Sequence, residues 1–279
     1  MMRICATCAV EYAEPLPEVC PICDDERQWV PADGQQWIAV SDLRVAGQEL
    51  HWSDAEPSRA EITARPGVGI GQTAQLVSTP AGSLLWDPTG YIDDETAERI
   101  LERGPVLAVA ASHPHMFGVQ TLWGEALDAP VLVCAADAQW LGRRSERVDL
   151  WQDDLHLTAG LSLHRVGGHF AGASVAHWAD GADGRGVVLC GDTVFPNPDR
   201  RSVGFMRSYP NKIPLSPAAV RHIADRLAEL RFDRIVGNFG NAIDSEAPAV
   251  VERSARRHIA WVSGEHDHET GIPALGYAP

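Results

Sequence analysis

Three histidines and one aspartate each follow the end of a predicted strand, where together they could bind a metal ion. They are His113, His115, His169 and Asp192. His113 and His115 are two residues apart, so both imidazoles face the same side of an extended segment. Strand ends in α/β folds are where ligand sites gather, and imidazole and carboxylate groups suit zinc or iron. The pattern therefore predicts one metal centre built from these four residues.

Four cysteines near the N-terminus form two CxxC pairs. The pairs are Cys5-Ala-Thr-Cys8 and Cys20-Pro-Ile-Cys23, with 11 residues between them. Each CxxC turn directs two thiolates towards one point, so two turns supply the four sulfurs of a tetrahedral site. Residues 1–33 contain too little apolar material for a core of their own, and a bound metal would take its place. We therefore expect a metal-binding knuckle that can be removed without unfolding the rest of the chain.

The composition is that of a soluble globular protein with a strongly acidic surface. The chain has 279 residues, of which 45% are hydrophobic, and its formal net charge is −15. Such a charge repels phosphate backbones, so we expect a small-molecule substrate and no nucleic-acid partner. No apolar run reaches the roughly 20 residues of a membrane span, and the N-terminus lacks the apolar stretch of a signal peptide. We expect a cytoplasmic protein without a membrane partner, in which cysteines bind metal rather than form disulfides; the oligomeric state stays open.

The elements that must position these ligands belong to one α/β domain, which we assign to residues 34–279. Its predicted strands are 74–78, 83–86, 106–110, 131–134, 161–166, 174–178, 187–190 and 234–236. Its predicted helices are 93–103, 119–127, 216–230 and 245–262. Ser216 and Pro217 are typical of a helix N-cap and first helical position.

Three segments of this domain resemble motifs of the metallo-β-lactamase superfamily, and the resemblance extends over about residues 38–262. Residues 112–118 (SHPHMFG) resemble HxHxDH, residues 167–174 (GGHFAGAS) resemble GGHTPGS, and residues 189–195 (LCGDTVF) resemble FTGDTLF. The resemblance implies a four-layer αββα sandwich with the metal site at one sheet edge. It also implies that the three histidines form the family's first metal site and that Asp192 adjoins it.

The departures from the family motifs affect the second metal site. Phe117 and Gly118 stand where the first motif has Asp and His, and Asn238 takes the place of the final His. In the family these three positions belong to the second site, so we expect one metal ion in this domain. Asp87 matches the first Asp of the family's opening hairpin, a mainly structural position. Asp87 and Asn238 are expected to be structural residues near the site.

Residues 1–33 resemble rubredoxin-like or zinc-ribbon knuckles, through the two CxxC pairs, Tyr12 and Pro21. Ala9 and Asp24 stand where that family often has Gly, which weakens the case for iron and redox chemistry. We expect zinc in the knuckle, with iron as the alternative. At the main centre we likewise expect one zinc ion, with iron possible.

The ligand set predicts a metal-dependent hydrolase of esters, thioesters or related groups, with metal-bound hydroxide as the nucleophile. Asp192 and His115 are the candidate catalytic residues. The segment 199–214 is basic in an acidic chain and follows Asp192, which predicts a pocket wall for a small anionic substrate. Its candidate substrate-binding residues are Arg201, Arg207, Tyr209 and Lys212.

Two other functions stay open on the sequence. Persulfide dioxygenases of the superfamily use one iron ion held by residues matching His113, His169 and Asp192, so an iron oxygenase or redox protein with the knuckle as electron carrier is one alternative. A non-catalytic binding protein stabilised by its metal is the other, because the motif Asp is replaced by Phe117. Metal identity separates the first two functions, and turnover separates both from the third.

Overall fold

The N-terminal residues form a three-stranded sheet in the computed structural model, which describes residues 2–271. Its elements are β1 (Arg3–Cys5), β2 (Glu11–Tyr12), α1 (Pro21–Asp24) and β3 (Trp37–Ala39). The central strand β1 pairs antiparallel with both neighbours, so that Ile4 lies opposite Glu11 and Ile38. Because β3 lies beyond residue 33, the strand pairing crosses the domain boundary expected from the sequence.

A seven-stranded sheet follows, in the strand order β10-β9-β8-β7-β6-β5-β4. This part of the chain contains α2 (Val40–Val45), β4 (Glu49–Glu56), β5 (Arg59–Arg65), β6 (Thr73–Thr79), β7 (Gly82–Trp86), α3 (Asp94–Leu101), β8 (Val106–Ala110), α4 (Gln120–Ala126), β9 (Val131–Cys134) and β10 (Val148–Trp151). Strands β4 to β7 are antiparallel, whereas β7 to β10 are parallel neighbours. Parallel strands need crossover connections, and α3 and α4 lie in two of them.

A second sheet of six strands has the order β11-β12-β13-β14-β19-β20. It begins with β11 (Asp154–Thr158), β12 (Leu161–Arg165), β13 (Ser174–Trp178), the single turn α5 (Gly181–Gly184) and β14 (Val187–Cys190). Two short ribbons then interrupt it: β15 (Phe195–Pro196) with β16 (Val203–Gly204), and β17 (Met206–Ser208) with β18 (Ile213–Pro214). The chain returns through α6 (Pro217–Ala228) to β19 (Arg234–Val236) and β20 (Ala242–Ile243), and then forms α7 (Ala247–Val262).

The two sheets pack face to face, with helices on both outer sides. The layer between the sheets buries Leu84, Trp86, Leu163 and Leu189, among others. Apolar residues of α3 and α4 cover the outer face of the first sheet, and those of α6 and α7 cover the outer face of the second. The αββα sandwich implied by the resemblance is therefore confirmed. None of the helices in residues 2–271 is long and apolar enough to cross a membrane.

Helix starts follow the capping chemistry of the sequence. The Asp93 carboxylate accepts a hydrogen bond from Thr96 N at the start of α3, and the Ser216 hydroxyl accepts one from Ala219 N at the start of α6. Each cap satisfies a backbone N–H that has no partner within its helix. Both helix starts could be predicted from the sequence because Asp and Ser are typical capping residues.

The knuckle (residues 1–33) shares one apolar core with the first sheet, and this packing argues against the expectation that it can be removed without unfolding the rest of the chain. Ile4 and Ile22 are fully buried in the same cluster as Ile62 and Leu76. Hydrogen bonds fix the contact as well: Glu11 N donates to Gly118 O at 3.0 Å. Deleting residues 1–33 would expose this core and remove the hydrogen bond to Gly118 O, whether or not the cysteines bind a metal.

We expect Ile4→Ala to destabilise the whole protein by about 2–5 kcal/mol, because it opens a cavity in a shared core. Urea unfolding followed by tryptophan fluorescence should show one transition with a lower midpoint. Val45→Ala is the matched control, since Val45 is 89% exposed. A main transition that stays at the wild-type midpoint in Ile4→Ala would mean that the knuckle folds independently.

Candidate metal centre

Three histidines and an aspartate meet at the ends of β8, β12 and β14. Their ligand atoms all lie within 4.8 Å of one another, and all four residues are buried. Asp192 Oδ2 is 3.6 Å from His113 Nε2 and 3.8 Å from His169 Nε2, and His169 Nε2 is 3.2 Å from His115 Nδ1. A tetrahedral zinc ion with nitrogen and oxygen ligands needs ligand atoms about 3.4 Å apart. The spacing of these atoms therefore fits one metal ion.

Hydrogen bonds from outside the cluster orient two of the imidazoles. The Ser112 hydroxyl donates to Asp87 Oδ2 at 3.1 Å and lies 2.9 Å from His113 Nδ1. It therefore accepts the proton of His113 Nδ1, which leaves the Nε2 lone pair directed at the cluster. His169 Nδ1 lies 2.9 Å from Met206 O and can only donate there, so its Nε2 is also free. Partners of this kind fix the tautomer of metal-binding histidines.

Several polar atoms of the cluster have no hydrogen-bond partner although they are buried. They include His113 Nε2, His115 Nε2 and Asp192 Oδ1. A buried polar atom without a partner costs about 1–3 kcal/mol, and native structures contain few of them. A cation would satisfy His113 Nε2 and the Asp192 carboxylate together. These unpaired atoms therefore indicate that the cluster is suited to binding a metal.

The protonation states favour cation binding at neutral pH. Burial lowers the pKa of His169 to about 4 and holds the pKa of His115 well below its usual value. Burial acts to raise the pKa of Asp192, but His113, His169 and the Asn238 amide outweigh it, and the pKa is lowered. The two imidazoles are thus neutral and the carboxylate is charged, which is the state in which each can bind a metal.

Asp87 holds the backbone beneath the cluster. It is fully buried, and besides the Ser112 hydroxyl its carboxylate accepts a hydrogen bond from Ser112 N at 2.6 Å. Burial raises the pKa of Asp87 to about 7. Gly191 completes the close packing, because a Cβ there would lie 2.1 Å from Ser112 Oγ. Asp87 thus occupies the structural position that the sequence predicted.

Two of the three positions that differ from the family motifs make contact with the knuckle. Phe117 is buried in the core shared with the knuckle, and Gly118 O accepts the hydrogen bond from Glu11 N. Gly118 has a φ of +51°, and a Cβ there would lie 2.4 Å from Pro88 O, so no larger residue fits. Asn238 is buried near Asp192, and neither polar atom of its side chain has a hydrogen-bond partner.

The four cysteines of the knuckle form a second cluster suited to a metal. Cys5 Sγ lies 3.6 Å from Cys23 Sγ, and Cys8 Sγ lies 3.7 Å from Cys20 Sγ. Zinc–thiolate bonds of about 2.3 Å imply sulfurs about 3.8 Å apart in a tetrahedral site. The Tyr12 hydroxyl hydrogen-bonds Cys20 Sγ at 3.2 Å. Within residues 2–271, the two groups of side chains able to hold a metal are this one and the His–Asp cluster.

Arg27 connects the knuckle to the histidine cluster, a link that sequence reasoning missed. Its guanidinium carbon lies 3.8 Å from the ring centroid of Phe170, and Nη1 donates to His169 O at 3.3 Å. Asp25 balances the charge, with Oδ1 at 2.5 Å from Arg27 Nε. The backbone of one predicted ligand is therefore held by a knuckle residue. An arginine four residues after a CxxC pair gives no local signal of such a contact.

A cavity of 730 Å³ opens at Asp192 and has the knuckle as one wall. Its lining residues from the knuckle and the segment after it are Ala6, Thr7, Gln28, Trp29, Pro31, Asp33, Gly34 and Gln36. The remaining lining residues are Gly69, Ile70, Asp192, Phe195, Tyr209, Pro210 and Phe239. Sequence reasoning missed the first set because it treated the knuckle as a separate unit.

Of the four predicted substrate-binding residues, the structure places only Tyr209 in the cavity wall, with its hydroxyl donating to Asp192 O at 3.1 Å. Arg201, Arg207 and Lys212 are not among the lining residues. Arg207 instead forms an ion pair with Glu26 of the knuckle at 2.6 Å. The wall of this cavity therefore has no contribution from the three basic residues, and their role in substrate binding stays a prediction.

Comparison with known proteins found one similar curated sequence. The uncharacterized protein YmaE of Bacillus subtilis (strain 168) is 38% identical over 269 residues, which is 95% of this chain and 98% of that protein. No protein-family model matches the chain.

Solved structures with a similar fold include metallo-β-lactamases. One is FIM-1 from Pseudomonas aeruginosa in its mono-zinc form, with a TM-score of 0.51 and 19% identity, covering 75% of this chain and 95% of that one. Another comes from Hirschia baltica, with a TM-score of 0.51 and 13% identity, covering 75% and 97%. The Flv1 flavodiiron core of Synechocystis has a TM-score of 0.50 and 12% identity, covering 76% of this chain and 61% of that one. These similarities establish the fold.

We expect the protein to contain two metal ions per chain, one in each cluster. His169→Ala should reduce the content to about one, because losing a ligand should cost more affinity than the 10–100-fold typical of residues behind the ligands. Metal analysis after dialysis measures both values. His51→Ala, on an exposed position of β4, is the control. Three tightly bound ions in the wild type would show that a second metal binds near Asp192.

We expect Arg27→Ala to weaken metal binding at the His–Asp cluster about 10-fold, because the backbone of His169 loses its support. Competition with a chromophoric chelator measures the affinity. Arg207→Ala is the matched control, since Arg207 also pairs with a knuckle acid but does not touch a ligand. Equal affinities in both variants would remove Arg27 from the support of the centre.

Proposed function

Because the chain belongs to the same protein family as YmaE of Bacillus subtilis and has the metallo-β-lactamase fold, we propose that it is a metal-dependent hydrolase with one metal ion in its main centre. The observation that carries the proposal is the buried cluster of His113, His115, His169 and Asp192, in which His113 Nε2 and Asp192 Oδ1 have no hydrogen-bond partner, beside a large cavity. A purely structural metal would not need such a cavity.

The chemistry of the ligands favours zinc at this centre. Zinc binds imidazole nitrogen and carboxylate oxygen and can take a fifth ligand in catalytic sites, and it would supply Lewis-acid polarisation of a carbonyl and a water molecule of lowered pKa. A single ion is compatible with the fold, since the FIM-1 structure is of a mono-zinc form. The replacement of second-site ligands by Phe117, Gly118 and Asn238 supports the same stoichiometry.

The residues of the chain have separate tasks in this proposal. His113 and His169 would bind the metal through Nε2 and His115 through Nδ1, and we assign His115 no role beyond binding. Asp192 is ionised and directs Oδ2 at the histidines, while its unpaired Oδ1 can accept a hydrogen bond from water or substrate. Tyr209 holds the backbone of Asp192 through its hydroxyl. Asp192 is thus both a ligand and the candidate base.

A redox function is the second candidate, and the shape of the cavity favours it. Ala6 and Thr7 line the cavity and lie between Cys5 and Cys8, so one cavity joins the cysteine cluster to the His–Asp cluster. An electron carrier in the knuckle would then lie next to the substrate. This function requires iron in both clusters, which ferric–thiolate absorption bands would reveal in the purified protein.

The hydrolase is tested with 4-nitrophenyl acetate and phenyl thioacetate as probes. We expect Asp192→Asn to lower kcat about 100-fold or more, since it removes the candidate base and a charged ligand. Asp153→Asn is the control, because Asp153 is exposed on the surface. Wild-type rates in metal-loaded Asp192→Asn, or no turnover of any ester or thioester by the zinc protein, would contradict the proposal.

A further inference from the structure

We propose that the knuckle selects the substrate, and that the site takes an uncharged molecule with a largely apolar acyl or aryl group. This inference rests on the proposed hydrolase function. It assigns to the segment 28–36 a role in specificity in addition to its place beside the cysteine cluster. The argument depends on the nature of the cavity wall, its charge and its rigidity.

The cavity lies between two apolar surfaces that carry exposed aromatic rings. On the knuckle side, Trp29 is 50% exposed and has Pro31 beside it. On the opposite side, the Phe195 ring lies 4.9 Å from that of Tyr209 and 5.9 Å from that of Phe239. Large aromatic side chains grouped at the mouth of a cavity are typical of binding sites for apolar groups.

The charges of the wall disfavour an anionic substrate. Asp33 and Asp192 are the charged residues among those that line the cavity, and both are acidic. Arg207, the cation nearest in sequence to Tyr209, is paired with Glu26. Away from the metal ion, a carboxylate or phosphate group would find no cationic side chain among the lining residues, and desolvating it without one is costly. The amides of Gln28 and Gln36 can instead hydrogen-bond an uncharged polar group.

The knuckle wall is held rigidly against the loop that follows Asp192. Asn211 Nδ2 donates to Glu26 O at 2.8 Å and to Gln28 O at 3.0 Å, and Ser208 Oγ donates to Arg27 O at 3.0 Å. The same loop contains Met206, whose carbonyl orients His169. The same loop therefore holds both the cavity wall and a metal ligand in place. A fixed wall selects substrates by shape, because little entropy is lost when it binds.

The test uses 4-nitrophenyl esters of increasing acyl length, from acetate through butyrate to octanoate, together with the anionic hemisuccinate. We expect kcat/KM to rise about two- to fourfold per added methylene that enters the cavity, and the hemisuccinate to be poorer than the butyrate. Trp29→Ala should reduce the octanoate-to-acetate preference about fivefold or more, since it removes a large apolar contact. Phe239→Ala, on the opposite wall, should reduce it as well.

Trp261→Ala is the matched control, because Trp261 is similarly exposed, at 44%, but lies on α7 and is not among the lining residues. It should keep the wild-type preference. The inference is overturned if the hemisuccinate is preferred, if chain length has no effect, or if Trp29→Ala and Trp261→Ala behave alike.

Binding of the uncharged dye Nile red separates this inference from the proposed function. The dye should bind the wild type and His169→Ala equally, and Trp29→Ala at least about tenfold more weakly. Dye binding of this pattern without hydrolysis of any ester would contradict the proposed hydrolase function and still support an apolar cavity wall. Ester hydrolysis without dye binding to the wild type would contradict the apolar wall and leave the hydrolase function in place.

Discussion

The main centre buries the ring nitrogens of three histidines and a carboxylate close together, and much of the surrounding structure serves to hold them there. Imidazole nitrogens and a carboxylate would turn away from one another, or take up protons, if their rings could rotate. The Asp87–Ser112 pair prevents this for His113, and the Met206 carbonyl prevents it for His169. These partners come from different parts of the chain, so the centre depends on both sheets and on the ribbon that contains β17.

The absence of a second set of ligands has a structural counterpart in the docking of the knuckle. The loop after His115 carries Phe117 and Gly118, and these residues contact the N-terminal strands rather than a cation. The Glu11 carboxylate accepts a hydrogen bond from Thr121 N in the first turn of α4, which follows this loop. Phe117 and Gly118 thus support the packing of the knuckle against the rest of the chain.

Local signals predicted the inner strands, because the apolar runs at 106–110, 131–134 and 187–190 need no partner to be recognised. The hairpin of β4 and β5 was missed, since β4 is largely exposed and its polar, charged sequence carries no apolar run. Contacts between residues far apart in the chain could not be predicted from the sequence. Arg207 was interpreted as an unpaired cation because its partner, Glu26, lies 181 residues away. The metal ligands could be predicted from residue types at strand ends. The residues that line the cavity could not, because tertiary packing alone brings them together.

The knuckle is synthesised before the residues that hold it and cannot complete its contacts until they follow. Ser208 and Asn211, which hold its backbone, lie 181 to 185 residues further along the chain. At roughly 5–20 residues per second, the four thiols wait about 10–40 s before their final environment exists. During that interval the nascent chain exposes cysteines that can be oxidised or captured by the wrong metal ion. Early metal loading would shorten this exposure, so the availability of the correct ion at the ribosome becomes part of how the protein matures.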